Sequence, residues 1–451
     1  MALTRRAAII ALVGVLVVFV APLHGFSIVI IEGLLIVGIA VDLALAGSVR
    51  ALEVSRYGDT ARRLDEVSEV GVQVVNRGGR RVRGVLRDAW PPSAAASPGR
   101  RLVDVPAGQR RRWVTTIRPR RRTELQAGRV TVRSFGPLGL AARQGNHEVP
   151  WSLRVLPAFP SRRYLPEKLA KLRILDGRTA ARVRGQGTEF DSLRDYVEGD
   201  DARSIDWRAT ARRSAVVVRT WRPERDRRIV LVLDTGRTSA ARIGAAPRLD
   251  AALDAALLLG TLASRAGDKV DLIAVDDRPR LLTRGSGSDG RGDALAGLLE
   301  SMAGLHARLV ETDGRRLVAE VLRRVRQRAL IVLFTTLDEA AIPEGLRPVL
   351  PSLTRKHVVM LASVTDPQVL AMLDGSHEAG SGDDTRTANA RSAYDARAAY
   401  DAAAAERTLA AHRRVTALLR RLDVEVVEAG PAEFASKVSD AYLALKGAGR
   451  L

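Results

Sequence analysis

The chain contains no cysteine, which excludes a disulfide framework, a thiolate nucleophile and Cys-ligated zinc or iron-sulfur chemistry. Its 6 histidines, His24, His147, His306, His357, His377 and His412, are scattered without HExxH or comparable ligand spacing, so a zinc enzyme is not indicated. No Walker A sequence occurs, so the chain is not itself a P-loop ATPase. Aromatic residues make up only 4% of the chain, too few for the interleaved stacking platform of a single-strand binder. Acid is in deficit: 72 Lys and Arg against 51 Asp and Glu leave a formal net charge of +21. Such a balance ordinarily points to nucleic acid or an anionic surface. Here Arg far outnumbers Lys and Ala is abundant throughout, which has the look of coding bias. The charge reads as a solvated basic surface, part of it meeting lipid, with no nucleic-acid partner.

Long apolar runs are confined to the first fifty residues. Ala7 to Ala21 and Phe26 to Ala46 are separated by Pro22, Leu23, His24 and Gly25. The first makes about 22 Å of helix, which Leu3 extends while Arg5 and Arg6 snorkel; the second is long enough to span a bilayer. No A-x-A cleavage site follows, so the expectation is a transmembrane helical hairpin over residues 1–50 rather than a signal peptide. Arg5 and Arg6 precede the first run, Arg50, Arg56, Arg62 and Arg63 follow the second, and the connector has none. The positive-inside rule then puts both ends, and the bulk of the chain, in the cytoplasm. Two carboxylates lie in the second run, where they are costly unless paired or near an interface. Asp42 reads as interfacial and Glu32 as a candidate for helix association.

Residues 51–160 show period-two alternation, as in Val70, Val72 and Val74, Val130 and Val132, and Leu153 and Val155, broken by polar or Gly turns. This predicts a juxtamembrane β-sandwich serving as spacer or interaction module. Its Arg110 to Arg122 cluster could touch anionic headgroups or be a plain exposed loop. Residues 228–451 alternate strand and helix. Strands are predicted at Arg228 to Leu233, Lys269 to Val275, Leu330 to Phe334, His357 to Ala362 and Val424 to Val427. Leu249, Leu253 and Leu257 step along the first helix, and Ser376 to Asn389 reads as a flexible loop before an Ala-rich helix reaching about Leu422. This is the grammar of an α/β doubly wound parallel sheet, whose ligands sit where the strands end, at Asp234.

Between these regions, in the connector 161–227, lies the most unusual stretch of the chain, GTEFDSLRDYVEGDDARSIDWRATAR from Gly187 to Arg212. It reads as two short helices around a turn. Asp191 and Asp195 share a helix face with Arg194 in pairing range, Gly199 stops the helix, and Asp200 or Asp201 caps the next one near Ala202. Trp207 is expected to pack inward. One reading is a charge-paired connector or partner-docking motif made by Glu189, Asp191, Arg194, Asp195, Tyr196, Gly199, Asp200, Asp201, Arg203, Asp206 and Trp207. The other is an acidic metal site built from Glu189, Asp191, Asp200, Asp201 and Asp206, against which the interleaved arginines Arg194, Arg203, Arg208 and Arg212 speak.

That stretch resembles the central motif of the bacterial domain-of-unknown-function family 58. FGPLGLAARQ at Phe135 to Gln144, LVLDTGRTS at Leu231 to Ser239 and DAYLALKGAGRL at the C-terminus resemble the same family, in the expected order. The resemblance implies a von Willebrand factor A-like fold for the α/β domain, a bacterial cytoplasmic-membrane location, and association with MoxR-type AAA+ ATPases. It also implies a cation site, in which a D-x-S-x-S loop, a Thr of a second loop and an Asp after a central strand hold Mg²⁺ through oxygen ligands. Asp234 and Thr238 match that pattern, but Gly236 replaces the first Ser. The acidic position falls on Thr335 or Thr336 with Asp338 slightly beyond, and Ser286 or Ser288 are candidates for the second loop. The metal set Asp234, Thr238, Thr336 and Asp338 is therefore degenerate, and no cofactor is expected beyond that possible Mg²⁺.

Gly285, Gly287 and Gly290 formally match G-x-G-x-x-G but do not follow the first strand, so a Gly/Ser loop is the better reading. Arg291, Gly292 and Asp293 spell an adhesion tripeptide without meaning on a cytoplasmic face. The leading expectation is a non-enzymatic, membrane-anchored adaptor or scaffold working with a MoxR-type ATPase in protein assembly or remodelling, with other membrane or envelope proteins as further partners. The rivals are a divalent-metal-dependent hydrolase using the Glu189 to Asp206 acidic cluster, and an anionic-polymer or envelope binder driven by net charge.

Overall fold

The computed structural model describes residues 2–20, 24–182, 189–213, 215–222, 227–244, 246–283, 293–339, 342–378 and 388–451. The chain forms two compact units, Met1–Ala158 and Phe159–Leu451.

The first unit begins with helices Arg5–Val20 and His24–Leu45, apolar on nearly every side. They meet where Gly14 leaves room for Ile31: a Cβ on Gly14 would come within 2.6 Å of Ile31 Cγ2. Among the described residues one helical stretch, Ile28–Ala51, is long and apolar enough to cross a membrane. The first helix, at 16 residues, falls short, so a two-span hairpin is more than the helix lengths support.

The alternating segment folds as a sandwich. Strand Ser68–Asn76 pairs antiparallel with Leu52–Gly58 and Arg110–Ile117. In the facing sheet Val82–Asp88 lies between Arg100–Val105 and Val130–Phe135, which Ala141–His147 extends. Val72 and Val74 of one sheet and Val82, Leu86, Val103, Val105, Val130 and Val132 of the other share one core, as period-two burial requires. Arg56, counted above among the basic flank, is instead buried. It pairs with Asp88 at 2.6 Å, and Asp88 also accepts from Trp90 Nε1 at 2.9 Å and Thr115 Oγ1 at 3.1 Å.

Asp42 is likewise buried, 0% exposed. Its carboxylate accepts backbone N–H groups of Leu138 at 2.7 Å, of Leu140, and of Ala141 at 3.0 Å. A Cβ on Gly136 would sit 2.3 Å from Asp42 Oδ1, so glycine is what lets the turn close on the acid. Gly139 takes the left-handed conformation with φ +70°, and its carbonyl accepts Thr4 Oγ1 at 2.6 Å. The FGPLGL turn thus binds the end of one apolar helix and the residue preceding the other.

The second unit is built on a six-stranded sheet in the order Pro279–Thr283, Lys269–Val275, Arg228–Asp234, Leu330–Phe334, Val358–Val364, Val424–Ala429. All neighbours are parallel except the edge strand Pro279–Thr283. Ile229, Leu231 and Leu233 face a core with helices Arg248–Arg265 and Pro431–Gly447, while Val230 and Val232 face another with Gly314–Arg324 and Ala388–Arg421. Burial on both faces explains why these strands read as continuous apolar runs. Of the Gly/Ser-rich loop expected at Ser376 to Asn389, Ser376 to Glu378 instead end helix Pro367–Glu378, Ala388 and Asn389 begin helix Ala388–Arg421, and the rest lies outside the described residues. The C-terminal motif anchors the last helix to the sheet side of the unit, since Tyr442 donates to Asp268 at 2.5 Å and Lys446 lies 3.3 Å from the same buried carboxylate.

Candidate functional site

The central motif does not begin as a helix. Glu189–Asp195 is a strand, paired antiparallel with Val217–Arg222, and the turn between Val197 and Asp200 leads into a 3-10 turn Ala202–Ser204 and helix Trp207–Arg213. In sequence, the acid spacing suggests a helix, and the hairpin partner beyond Arg213 carries no local signal. Asp191 and Asp195 therefore share no helix face, and the side chains of Glu189 and Asp191 lie outside what the structure describes.

Several of the charged residues are occupied in local closure. Arg194 grips Asp200 bidentately at 2.6 and 2.8 Å, and Asp200 also accepts the Val197 N–H at 3.0 Å. These bonds hold the Asp200 carboxyl below the usual carboxylate range, the Arg194 contact foremost. Gly199, φ +106°, makes the turn as its residue type requires. Asp201 caps the 3-10 turn through Arg203 N at 3.0 Å. Asp206 caps the helix through Ala209 N at 2.9 Å and Arg208 N at 3.0 Å, and pairs with Arg219 at 2.8 Å. Its pKa is lowered by the Ala209 N–H first and by Arg219 next. Asp200, Asp201 and Asp206 are thus spent on three different turns, and among the described residues no group of three or more acids or histidines converges on one point.

Among the side chains the motif leaves in solvent are several large apolar ones. Trp207, expected inside, is 69% exposed, and Val197, Val216 and Tyr196 are exposed beside the same turn, where Tyr196 N donates to the Val216 carbonyl at 2.8 Å. The capped helix carries Trp207 at its first position, exposed, while Val217 and Val218 of the adjoining strand are buried.

A second candidate lies at the carboxyl ends of the strands. Asp234 is buried and its carboxylate is saturated: Oδ1 accepts Gly236 N at 2.8 Å and Thr312 Oγ1 at 2.5 Å, and Oδ2 accepts Thr335 Oγ1 at 2.7 Å and Thr238 Oγ1 at 3.4 Å. Sequence reasoning finds Asp234 and Thr238 and misses Thr312, which a loop stitched by Arg308 N to the Thr235 carbonyl and Arg237 N to the Val310 carbonyl delivers from 78 residues away. Of the two threonines after Phe334, Thr335 makes the contact; Thr336 Oγ1 is buried without a hydrogen-bond partner. Asp338 is not among the groups bonded to Asp234. Ser286, Ser288 and the glycines Gly285, Gly287 and Gly290 lie outside the described residues, as do Arg291 and Gly292. Arg237 turns outward to Glu311 at 2.6 Å rather than into the site.

Next to it, Asp276 accepts Thr235 Oγ1 at 3.2 Å and Arg280 Nε at 2.6 Å. Burial alone would raise its pKa, but Arg280 and the Arg278 N–H outweigh that and bring it to about 2. Asp276 is therefore committed to a structural ion pair. A divalent ion at Asp234 would have to displace donors from a carboxylate whose two oxygens already accept four hydrogen bonds. A Cβ at Gly236 would come 2.1 Å from Thr312 Oγ1 and 2.9 Å from the Val310 carbonyl, so the first serine of D-x-S-x-S would force this loop to shift. Among the described residues, the donors around Asp234 suit a carboxylate that fastens three loops.

The geometry defines a two-unit chain, a β-sandwich preceded by apolar helices and an α/β unit bearing a separate hairpin-and-helix motif. The family model described as protein of unknown function DUF58 matches residues 192–410, in agreement with the resemblance read from the motifs. No curated protein matches. Among solved structures, the CARDB domain of a Pyrococcus furiosus protein is 15% identical, with 23% of this chain and 91% of that one covered and a TM-score of 0.18. An aerotolerance-related membrane protein from Bacteroides fragilis is 12% identical, with 48% and 99% covered and a TM-score of 0.26. Likenesses this slight settle neither fold nor function.

Proposed function

We propose that this protein is a membrane-anchored cytoplasmic adaptor whose central motif docks a MoxR-type AAA+ ATPase, with the α/β unit taken as von Willebrand factor A-like. The observation that carries the reading is Trp207: a tryptophan left in solvent by a helix whose start is fixed by the Asp206 cap and the Arg219 pair. Structural tryptophans are buried, whereas exposed ones on ordered elements serve as binding anchors. Tyr196, Val197 and Val216 extend the apolar patch, and Arg203, Arg208 and Arg212 give it a charged rim. Helix His24–Leu45 supplies the anchor, and Arg50, Arg62 and Arg63 after it favour a cytoplasmic sandwich. A hydrolase reading gains nothing from carboxylates already tied to arginines and caps. The test is co-purification of the full chain with the MoxR-type ATPase from the same cell: wild type should retain it and Trp207→Ala should lose it. Equal recovery by both would refute the docking site.

A further inference from the structure

Asp42 sets the depth of helix His24–Leu45. Its carboxylate is held by backbone N–H groups of the sandwich, which belong outside hydrocarbon, so Asp42 marks the boundary of the bilayer. Glu32 lies ten residues earlier on the same helix, a rise of about 15 Å. That is half of a hydrocarbon core roughly 30 Å thick, so Glu32 sits near mid-depth. There a carboxylate without a partner is among the costliest of groups.

The helix does not hide it. Ile31 faces the other apolar helix at Gly14, and Glu32, a step of about 100° further round, is exposed with no hydrogen bond or ion pair among the described residues. Its face is open along the helix: Val29 is 68% and Ile36 64% exposed, and nothing lies within 4 Å of where a Cβ on Gly33 would be. A small residue beside a polar one is how membrane helices admit a close neighbour.

We infer that Glu32 is the contact point for a transmembrane helix of another protein that carries a basic side chain at mid-depth. Charge complementarity selects this occupant. A second copy of the chain offers no basic group at that level, since Arg5 and Arg6 lie at the far end of the first helix and His24 about 12 Å away along the second. It would bring only a second Glu32 to the first. The inference rests on the membrane-anchor reading of this helix.

The absence of cysteine makes the test direct. Ile36→Cys, on the Glu32 face, and Leu35→Cys, on the Ile31 face, are each labelled with a photo-crosslinker in native membranes, with and without Glu32→Leu or Glu32→Lys. The expected result is a protein adduct from position 36 but not 35, whose crosslinked peptide is an apolar span containing Lys, Arg or His, reduced about tenfold or more by either Glu32 substitution, the factor that corresponds to 1.4 kcal/mol. A homodimer through position 36, lipid adducts alone, or a protein adduct indifferent to Glu32 would each overturn the inference. Alkaline carbonate extraction separates the two levels: release of the chain sinks the anchor reading itself, whereas a chain that stays in the membrane without the adduct sinks only this inference.

Discussion

Asp206 and Arg219 form an ion pair at 2.8 Å that joins the start of helix Trp207–Arg213 to the second strand of the hairpin, while the next residue, Trp207, stays in solvent. The pair positions and the tryptophan presents, so the two residues should respond differently to substitution. Asp206→Ala removes the cap and the cross-link and should lower the melting temperature. Trp207→Ala should cost far less than the about 3 kcal/mol of a buried tryptophan. Thermal melts of the two variants check this; a large loss for Trp207→Ala would show that the indole is packed.

Gly236→Ser restores the D-x-S-x-S pattern but drives a side chain into Thr312 Oγ1. It should destabilise the chain by about 1–3 kcal/mol, as overpacking does, and added Mg²⁺ should not recover it. The measurement is a melt in chelator and in millimolar Mg²⁺. A Mg²⁺-dependent rise that vanishes in Asp234→Ala would show that a cation site forms after all.

Asp254, inside helix Arg248–Arg265, is raised to about 6 by burial, against the opposing hydrogen bonds from the Ser161 N–H and hydroxyl. A folded pKa above the unfolded one means that the folded state holds the proton better. This contribution is full below about pH 4 and is lost as pH rises through about 6, up to roughly 3 kcal/mol. Asp254→Asn keeps an acceptor for Ser161 and should flatten stability across pH 4 to 7 while raising it at neutral pH. Asp276 acts in the opposite sense: its depressed pKa makes its share of stability present above about pH 4 and lost toward pH 2. Denaturation profiles at several pH values would show the difference; an unchanged slope in Asp254→Asn would contradict the assignment.

Asp42→Ala leaves the N–H groups of Leu138, Leu140 and Ala141 without their acceptor, at about 1–3 kcal/mol for each that stays buried. The Phe135–Gln144 turn should become open to protease, with Asp42→Asn intermediate because its single carbonyl oxygen can serve only part of the set. Protection equal to wild type in Asp42→Ala would mean that the carboxylate does not hold the turn.

The sheet strands are legible in sequence because burial on both faces writes itself as an apolar run, and Arg228–Asp234 or Lys269–Val275 need no partner to be recognised. The edge strand Pro279–Thr283 is not, since its residues are only half-buried. The central motif misleads for a related reason: spacing of Asp191 and Asp195 suits a helix, but the strand Val217–Arg222 that decides the matter is more than twenty residues away. Thr312 cannot be seen at all, because a hydroxyl acquires meaning only when a distant loop brings it to Asp234. Asp42 shows its oddity in sequence, an acid in an apolar run, without revealing that a turn near residue 138 satisfies it.

The central claim is that the exposed face of the motif at Trp207 is a docking site for a MoxR-type ATPase. It is tested most directly by the affinity of that ATPase for the full chain in lipid nanodiscs, wild type against Trp207→Ala. A hot-spot tryptophan predicts a loss of about 30-fold or more in Kd, with the melting temperature of the chain little changed. Equal affinity for both chains, or no measurable binding to the wild type, would contradict it.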